Sequence, residues 1–191
     1  FKARASNSVG DSDFSDPSDE TAPGVAFTST WRTGNTSAGS SNANQLRLPL
    51  PVGGTYDFYV SWGDGRTDHI TSRDQAEVTH TYARAGLKNL TITGQIVGFR
   101  FNNQGDRLKL LDIGAWGALR LGNACSYFYG AENLTGSATD ALDLTGTHDL
   151  SNAFLEASSF NGTVSGWATD EVTDLTNTFK GATSFTGSGL D

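Results

Sequence analysis

Methionine is absent from the 191 residues, and cysteine occurs once. A chain without Met does not begin at its own initiation codon, so a processed or truncated piece of a longer polypeptide is expected. The single Cys125 excludes an internal disulfide framework. Its neighbours Ala124, Tyr127 and Phe128 are apolar and no His is near in sequence, which predicts a small buried hydrophobe rather than a reactive thiol. Lysine is scarce as well, with four in the chain. No apolar run approaches the ~18–20 residues of a membrane span, and no basic-then-apolar leader opens the chain. No membrane insertion is expected within this segment.

What is abundant is Gly, with 23 residues, and Ser plus Thr, with 42. That composition describes a turn-rich β protein and not a helical bundle. Charge is unevenly placed. Residues 1–120 carry twelve basic and twelve acidic side chains, whereas residues 121–191 carry nine acidic ones against Lys180 alone, a net of −8. Nucleic acid or an anionic bilayer would be repelled by that last third, while divalent cations or a basic partner would not. Sequons stand at Asn35, Asn89, Asn133 and Asn161, and matter only in a eukaryotic source.

The chain divides into four stretches. In residues 1–24, Phe1, Ala3 and Ala5 alternate with Lys2, Arg4 and Ser6, the period of a half-buried strand, and the stretch closes on Pro23-Gly24. In residues 25–104, Gln45-Leu46-Arg47-Leu48-Pro49-Leu50 and Tyr56-Asp57-Phe58-Tyr59-Val60-Ser61-Trp62 alternate, the second ending at the Gly63-Asp64-Gly65 turn. Val78-Thr79-His80-Thr81-Tyr82 and Leu90-Thr91-Ile92-Thr93 add two strands, and strands at this spacing predict a sandwich. Residues 105–122 hold Leu108, Leu110, Leu111, Ile113 and Trp116, too apolar for a free linker; a packed connector or the first coil of a solenoid is expected.

Residues 123–191 repeat. Phe128, Ala131 and Leu134 recur as Phe154, Ala157 and Phe160 after 26 residues, then as Phe179, Ala182 and Phe185 after 25. A period of this length marks a solenoid whose units bury a core only by stacking. Phe-x-x-Ala-x-x-Phe predicts a short helical stretch with one apolar face, and Leu142-Asp143-Leu144 and residues 167–172 predict extended chain. The predicted fold is mainly β: an Ig-like sandwich followed by a solenoid with short helices and strands.

Three resemblances sharpen this reading. The aromatic, Arg, Ala, Asn order and the Ser-rich turn of residues 1–24 resemble the last two strands of a fibronectin type III domain. Val60-Ser61-Trp62-Gly63-Asp64-Gly65, then His80-Thr81-Tyr82 and Gly86, resemble the polycystic-kidney-disease (PKD) domain, with Leu87-Lys88-Asn89 departing from the usual continuation. Leu150-Ser151-Asn152-Ala153-Phe154, Phe160-Asn161-Gly162-Thr163-Val164-Ser165-Gly166-Trp167 and Val172-Thr173-Asp174 resemble the BspA-like leucine-rich repeats of surface proteins. The usual Met of that repeat is Ala153 in one unit and Thr178 in the next.

Each candidate for chemistry also has a plainer structural reading. Asp64, Asp68 and His69 are a cation-ligand set or a capped hairpin turn, and turn chemistry alone accounts for them. His80 is a general base or a structural strand histidine, the second being the better reading beside Tyr82. Asp11, Asp13, Asp16, Asp19 and Glu20 lack the spacing of an EF-hand, which leaves a solvated stretch or an interdomain calcium site. Asp149, Asp170, Glu171 and Asp174 are phased with the repeat and read as exposed turn carboxylates rather than an acid–base pair. Trp31, Trp62, Trp116 and Trp167 offer a sugar-stacking platform only if exposed, and Trp62 and Trp167 occupy core positions of the resembled families.

No catalytic, metal or cofactor residue is therefore assigned, calcium being the one ion left open. The resemblances imply a non-catalytic, extracellular or cell-surface protein, adhesin-like or part of an appendage or fibre. Its partners would be a protein or glycan surface ligand, or neighbouring copies of itself. The alternative is an accessory binding or spacer region of a secreted hydrolase, or a viral fibre or decoration protein.

Overall fold

The computed structural model describes residues 25–189 and, ahead of them, one short antiparallel pair, β1 (Ser6–Asn7) with β2 (Gly10–Asp11). The remaining residues of the expected type III strands, including Phe1, Ala3, Ala5, Asp13, Asp16, Asp19 and Glu20, lie outside the described residues. The protein is mainly β. Among the described residues the helical content is one 3-10 turn, Ala76–Val78.

The main sheet contains β3 (Phe27–Arg32), β5 (Thr55–Ser61), β6 (Thr67–Ile70), β8 (Leu87–Val97) and β9 (Leu110–Ala115) in the order β6-β5-β8-β3-β9. All these pairings are antiparallel; β10 (Leu119–Arg120) adds a short parallel pairing to the far end of β8. A second pair, β4 (Gln45–Arg47) with β7 (Thr79–Thr81), is extended by the Leu48 amide donating to Val78. Strand alternation sets which side is dry. Tyr56, Phe58 and Val60 of β5 point inward while Thr55, Asp57 and Tyr59 point to water. Leu46 and His80 of the second pair, with Leu48, Val78 and Tyr82, are buried as well.

Gly94 interrupts the inward series of β8. It has φ +108°, and a Cβ there would lie 2.5 Å from the Asp57 carbonyl oxygen, so the close approach of β5 requires glycine. On β3, Ser29 is buried between Phe27 and Trp31 because its hydroxyl accepts from the Trp31 indole N–H at 2.8 Å.

The main sheet does not stop at residue 104. Strand β9 forms its edge beside β3, and the carbonyls of Leu111 and Ile113 accept from the amides of Thr135, Ser137 and Ala138. From here the chain winds in stacked coils. On one side the amides of Ser126, Phe128 and Gly130 donate to the carbonyls of Ser151, Ala153 and Leu155. The amides of Leu150, Asn152, Phe154 and Glu156 donate in turn to Asp174, Thr176, Thr178 and Lys180. On the other side donation runs backwards, from Asn161 to Thr135 and from Ser184 to Ser158. The aromatic rings keep the same step: Phe128 to Phe154 is 5.0 Å between centroids, Phe154 to Phe179 5.4 Å and Phe160 to Phe185 5.9 Å. Phe99 and Trp116 join this column to the core of the sheet, at 5.6 and 5.7 Å from Phe128.

The expected short helices are not there. Phe-x-x-Ala-x-x-Phe folds as two consecutive tight turns: the Ala157 amide donates to Phe154 and the Phe160 amide to Ala157, and the same pairs recur at Phe128 and Phe179. A helix is blocked on both sides of each Phe. Ser126 and Gly130, Asn152 and Glu156, and Asn177 and Gly181 all have positive φ, two residues before and two after. The amides of Phe128 and Phe154 also point along the stack, to Ala153 and Thr178 of the next coil, rather than back into a helix. The extended stretches expected at Leu142-Asp143-Leu144 and 167–172 reduce to isolated parallel bridges, Arg120 with Asp143 and Asp149 with Asp174, the latter just beyond residue 172.

Candidate functional site

The residues singled out in the sequence land in separate places. His80 is buried and its ring stacks on Trp62, with centroids 4.8 Å apart and planes 9° apart. Its Nε2 lies 2.9 Å from Asp64 Oδ2, while the Tyr82 hydroxyl donates to the Trp62 carbonyl at 3.0 Å. Asp68 accepts from the Trp62 indole at 2.7 Å, and His69 sits 2.6 Å from Asp57 with its ring stacked on Tyr59. Asp64, Asp68 and His69 thus face three different partners and form no common ligand set. Among the described residues no group of three His, Cys, Asp or Glu side chains converges as a metal site.

The repeat-phased carboxylates hold turns. Asp149 accepts from the Ser151 amide at 2.7 Å, and Asp174, one coil on, from the Thr176 amide at 2.8 Å. Glu171 accepts from the Gly146 amide at 3.1 Å, and Asp170 is exposed. Three of the four tryptophans, Trp31, Trp62 and Trp116, are buried, and Trp167 is half-buried against Trp116 and Phe154. They form no sugar platform. Cys125 departs from the expectation of burial: it is half-exposed in a left-handed turn, φ +53°, beside Arg100. The turn, rather than its apolar neighbours, fixes where the thiol points.

Burial raises the Asp64 carboxyl, but the hydrogen bond from His80, the Arg66 amide and the charges of both residues outweigh it, so its pKa lies below 3.8. Asp143 is likewise raised by burial and lowered further by Thr145 and Arg120, and Thr176 lowers Asp174. A carboxyl depressed in the fold stabilises it above the unfolded pKa and ceases to do so as pH falls through the folded value. The part of the thermal midpoint due to these carboxylates is therefore expected to be fully present above about pH 5 and to be lost progressively below the 3.8 of the unfolded carboxyls. Asp64→Asn should flatten part of that fall; an unchanged acid limb would show that the Asp64–His80 contact contributes nothing.

Two further features lie outside the candidate residues above. The first is a buried ion pair. Lys109 and Asp106 are 3.2 Å apart and both side chains are fully buried. Lys109 Nζ also donates to the Ser41, Asn42 and Gln45 carbonyls, and Asp106 accepts from the amides of Ser41 and Arg47. Burial pulls the Lys109 pKa down and Asp106 opposes the shift. The pair clasps the loop before β4 onto the start of β9.

The second is the outer end of the stack. In the preceding coil the amides of Leu150, Asn152, Phe154 and Glu156 are taken by the next one. Their equivalents at Leu175, Asn177, Phe179 and Gly181 donate to no acceptor among the described residues. Beside them lies an open groove of about 540 Å³ lined by Val164, Trp167, Leu175 and Phe179, with Leu175 57% exposed. The arrangement places a row of backbone donors beside an apolar strip.

Residues 99–189 match the family described as Mycoplasma protein of unknown function, DUF285. No curated protein and no solved structure matches the chain. The family match starts at Phe99, where the aromatic column leaves the sheet core, and takes in the coils.

Proposed function

We propose that this chain is a non-catalytic, modular segment of an extracellular surface protein, serving adhesion or the build of a surface appendage. In this reading residues 25–104 carry an Ig-like sandwich of the PKD type. The coils from residue 123 onward are a BspA-like leucine-rich-repeat solenoid. The carrying observation is the hydrogen-bond ladder at a 24- to 26-residue step together with the Phe128–Phe154–Phe179 column. Stacked units of this kind build long surfaces from short sequences, the usual means by which repeat proteins present partners with contact area. The polar residues that could have served chemistry are instead engaged in holding turns: Asp64 with His80, Asp149 with Ser151, Asp174 with Thr176.

The described residues contain no helix long and apolar enough to cross a membrane. The net −8 of residues 121–191 favours partners other than nucleic acid. The test is direct. Beads carrying the chain are expected to adhere to one or more members of a panel of immobilised glycans and matrix proteins, or to chain-coated beads, without cleaving any soluble polysaccharide or protein offered. Hydrolysis of a panel member, with no retention on it, would overturn the reading.

A further inference from the structure

Between the loop ahead of β4, the segment after it, and the β8–β9 connection lies a polar cleft of about 510 Å³. Three arginines line it from three different parts of the chain: Arg47 at the end of β4, Arg73 after β6, and Arg100 after β8. Two are held by their Nε atoms. Arg73 Nε donates to the Leu50 carbonyl at 3.2 Å and Arg100 Nε to the Cys125 carbonyl at 3.1 Å. Each arginine also has one outer nitrogen near a neighbour: Arg47 Nη1 lies 3.5 Å from Thr79 Oγ1, Arg73 Nη1 3.5 Å from Asp74 and Arg100 Nη2 3.8 Å from the Cys125 sulfur. These contacts orient the guanidinium planes and leave the second outer nitrogen of each without a partner among the described residues. Among the described residues, Arg47 and Arg100 enter no ion pair, and Arg73 reaches only its exposed neighbour Asp74, at 3.5 Å. The one carboxylate in the cleft, Asp106, is already committed to Lys109, Ser41 and the Arg47 amide. Three like charges line one cleft, and an anion bound there would offset their mutual repulsion.

We propose that this cleft binds the carboxylate of an acidic sugar unit. The inference rests on the adhesion reading in that it names a ligand for it. A carboxylate matches the guanidinium fork with two parallel hydrogen bonds. The volume falls within the ordinary range for small-ligand sites, and Gly39 and Gly105 let backbone groups come close to ring hydroxyls. The adjoining coils, with nine acidic side chains against one basic in residues 121–191, select against a densely charged polyanion. One acidic ring at a time fits these constraints better than a sulfated run.

The test titrates the whole chain with a glucuronate-terminated oligosaccharide, its carboxyl-reduced neutral counterpart, and acetate. The acidic oligosaccharide is expected to bind, with affinity falling as salt rises. The neutral counterpart and acetate should each bind at least about tenfold more weakly, the size of one charge-assisted hydrogen bond. Arg47→Gln, at an exposed position, should lower affinity by a similar factor with the melting midpoint unchanged. Arg100→Gln should lower affinity similarly and also lower the midpoint, because it gives up the bond to the Cys125 carbonyl. Equal binding of the neutral sugar, equal binding of acetate, or full binding by both variants would overturn the proposal. So would self-association of the chain that the variants abolish while no sugar binds. Retention of chain-coated beads on a glycan panel, undiminished in the variants, would overturn this site and leave the adhesion reading standing.

Discussion

Phe154→Ala is expected to cost about 3–5 kcal/mol of stability, the range for truncating a buried aromatic that leaves a cavity behind. The side chain has no exposed surface, and its ring lies 5.0 Å from Phe128, 4.2 Å from Phe160 and 5.4 Å from Phe179. It therefore supports the coil before it and the coil after it at once. The loss should appear as a lower midpoint in chemical or thermal unfolding, followed by near-ultraviolet circular dichroism. Phe179→Ala, at a half-buried position with one described neighbouring coil, should cost distinctly less. Equal losses at the two positions, or a loss below about 1 kcal/mol at Phe154, would mean that the column is not packed through its centre.

The second large effect concerns the clasp. Asp106→Ala should destabilise by about 3–5 kcal/mol, because removing one member of a buried pair leaves the other as an uncompensated charge. Lys109 would keep its three carbonyl partners but lose its counter-charge, and the Ser41 and Arg47 amides would lose their acceptor. The Asp106→Ala, Lys109→Met double variant should recover much of that loss, since an apolar replacement of the whole pair removes the desolvated charges together. Additive losses in the double variant would show that the pair is not coupled. Hydrogen exchange of the 37–45 loop gives an independent readout, with protection expected to fall in the single variant and to return in part in the double.

Strands whose side chains alternate cleanly are legible in the sequence. Thr55–Ser61 buries every second residue, and its end at Gly63-Asp64-Gly65 is equally plain. Phe27–Arg32 is not legible, because a buried serine satisfied by the Trp31 indole interrupts its apolar series. Thr67–Ile70 escapes for a different reason: Ile70 is its one fully buried residue. The repeat step is legible from Phe128, Phe154 and Phe179, but the local conformation around them is not. Two flanking left-handed residues per coil decide against a helix, and Ser126 and Glu156 are not residue types that announce a positive φ. The Lys109 clasp and the arginine cleft are assembled from positions tens of residues apart, so no local pattern carries them. Asp64 and His80 each stand out in the sequence, and only the folded chain shows that they face each other.

The direction of the coil-to-coil bonds bears on how the chain would yield to a mechanical load. The amides of Leu150, Asn152, Phe154 and Glu156 bond to the adjacent outer coil along the stack, and Ser184 closes the other side. Tension that draws the outermost coil away would open these bonds as a zipper, one coil at a time, each freeing about 25 residues that extend by up to roughly 80 Å. Where the stack meets the sheet, the load reaches Leu111 and Ile113 of an edge strand bound along its length to Phe27–Arg32. A load directed along those strands would have to shear several bonds at once, so the base is expected to resist a pull in that direction more than the coils resist peeling.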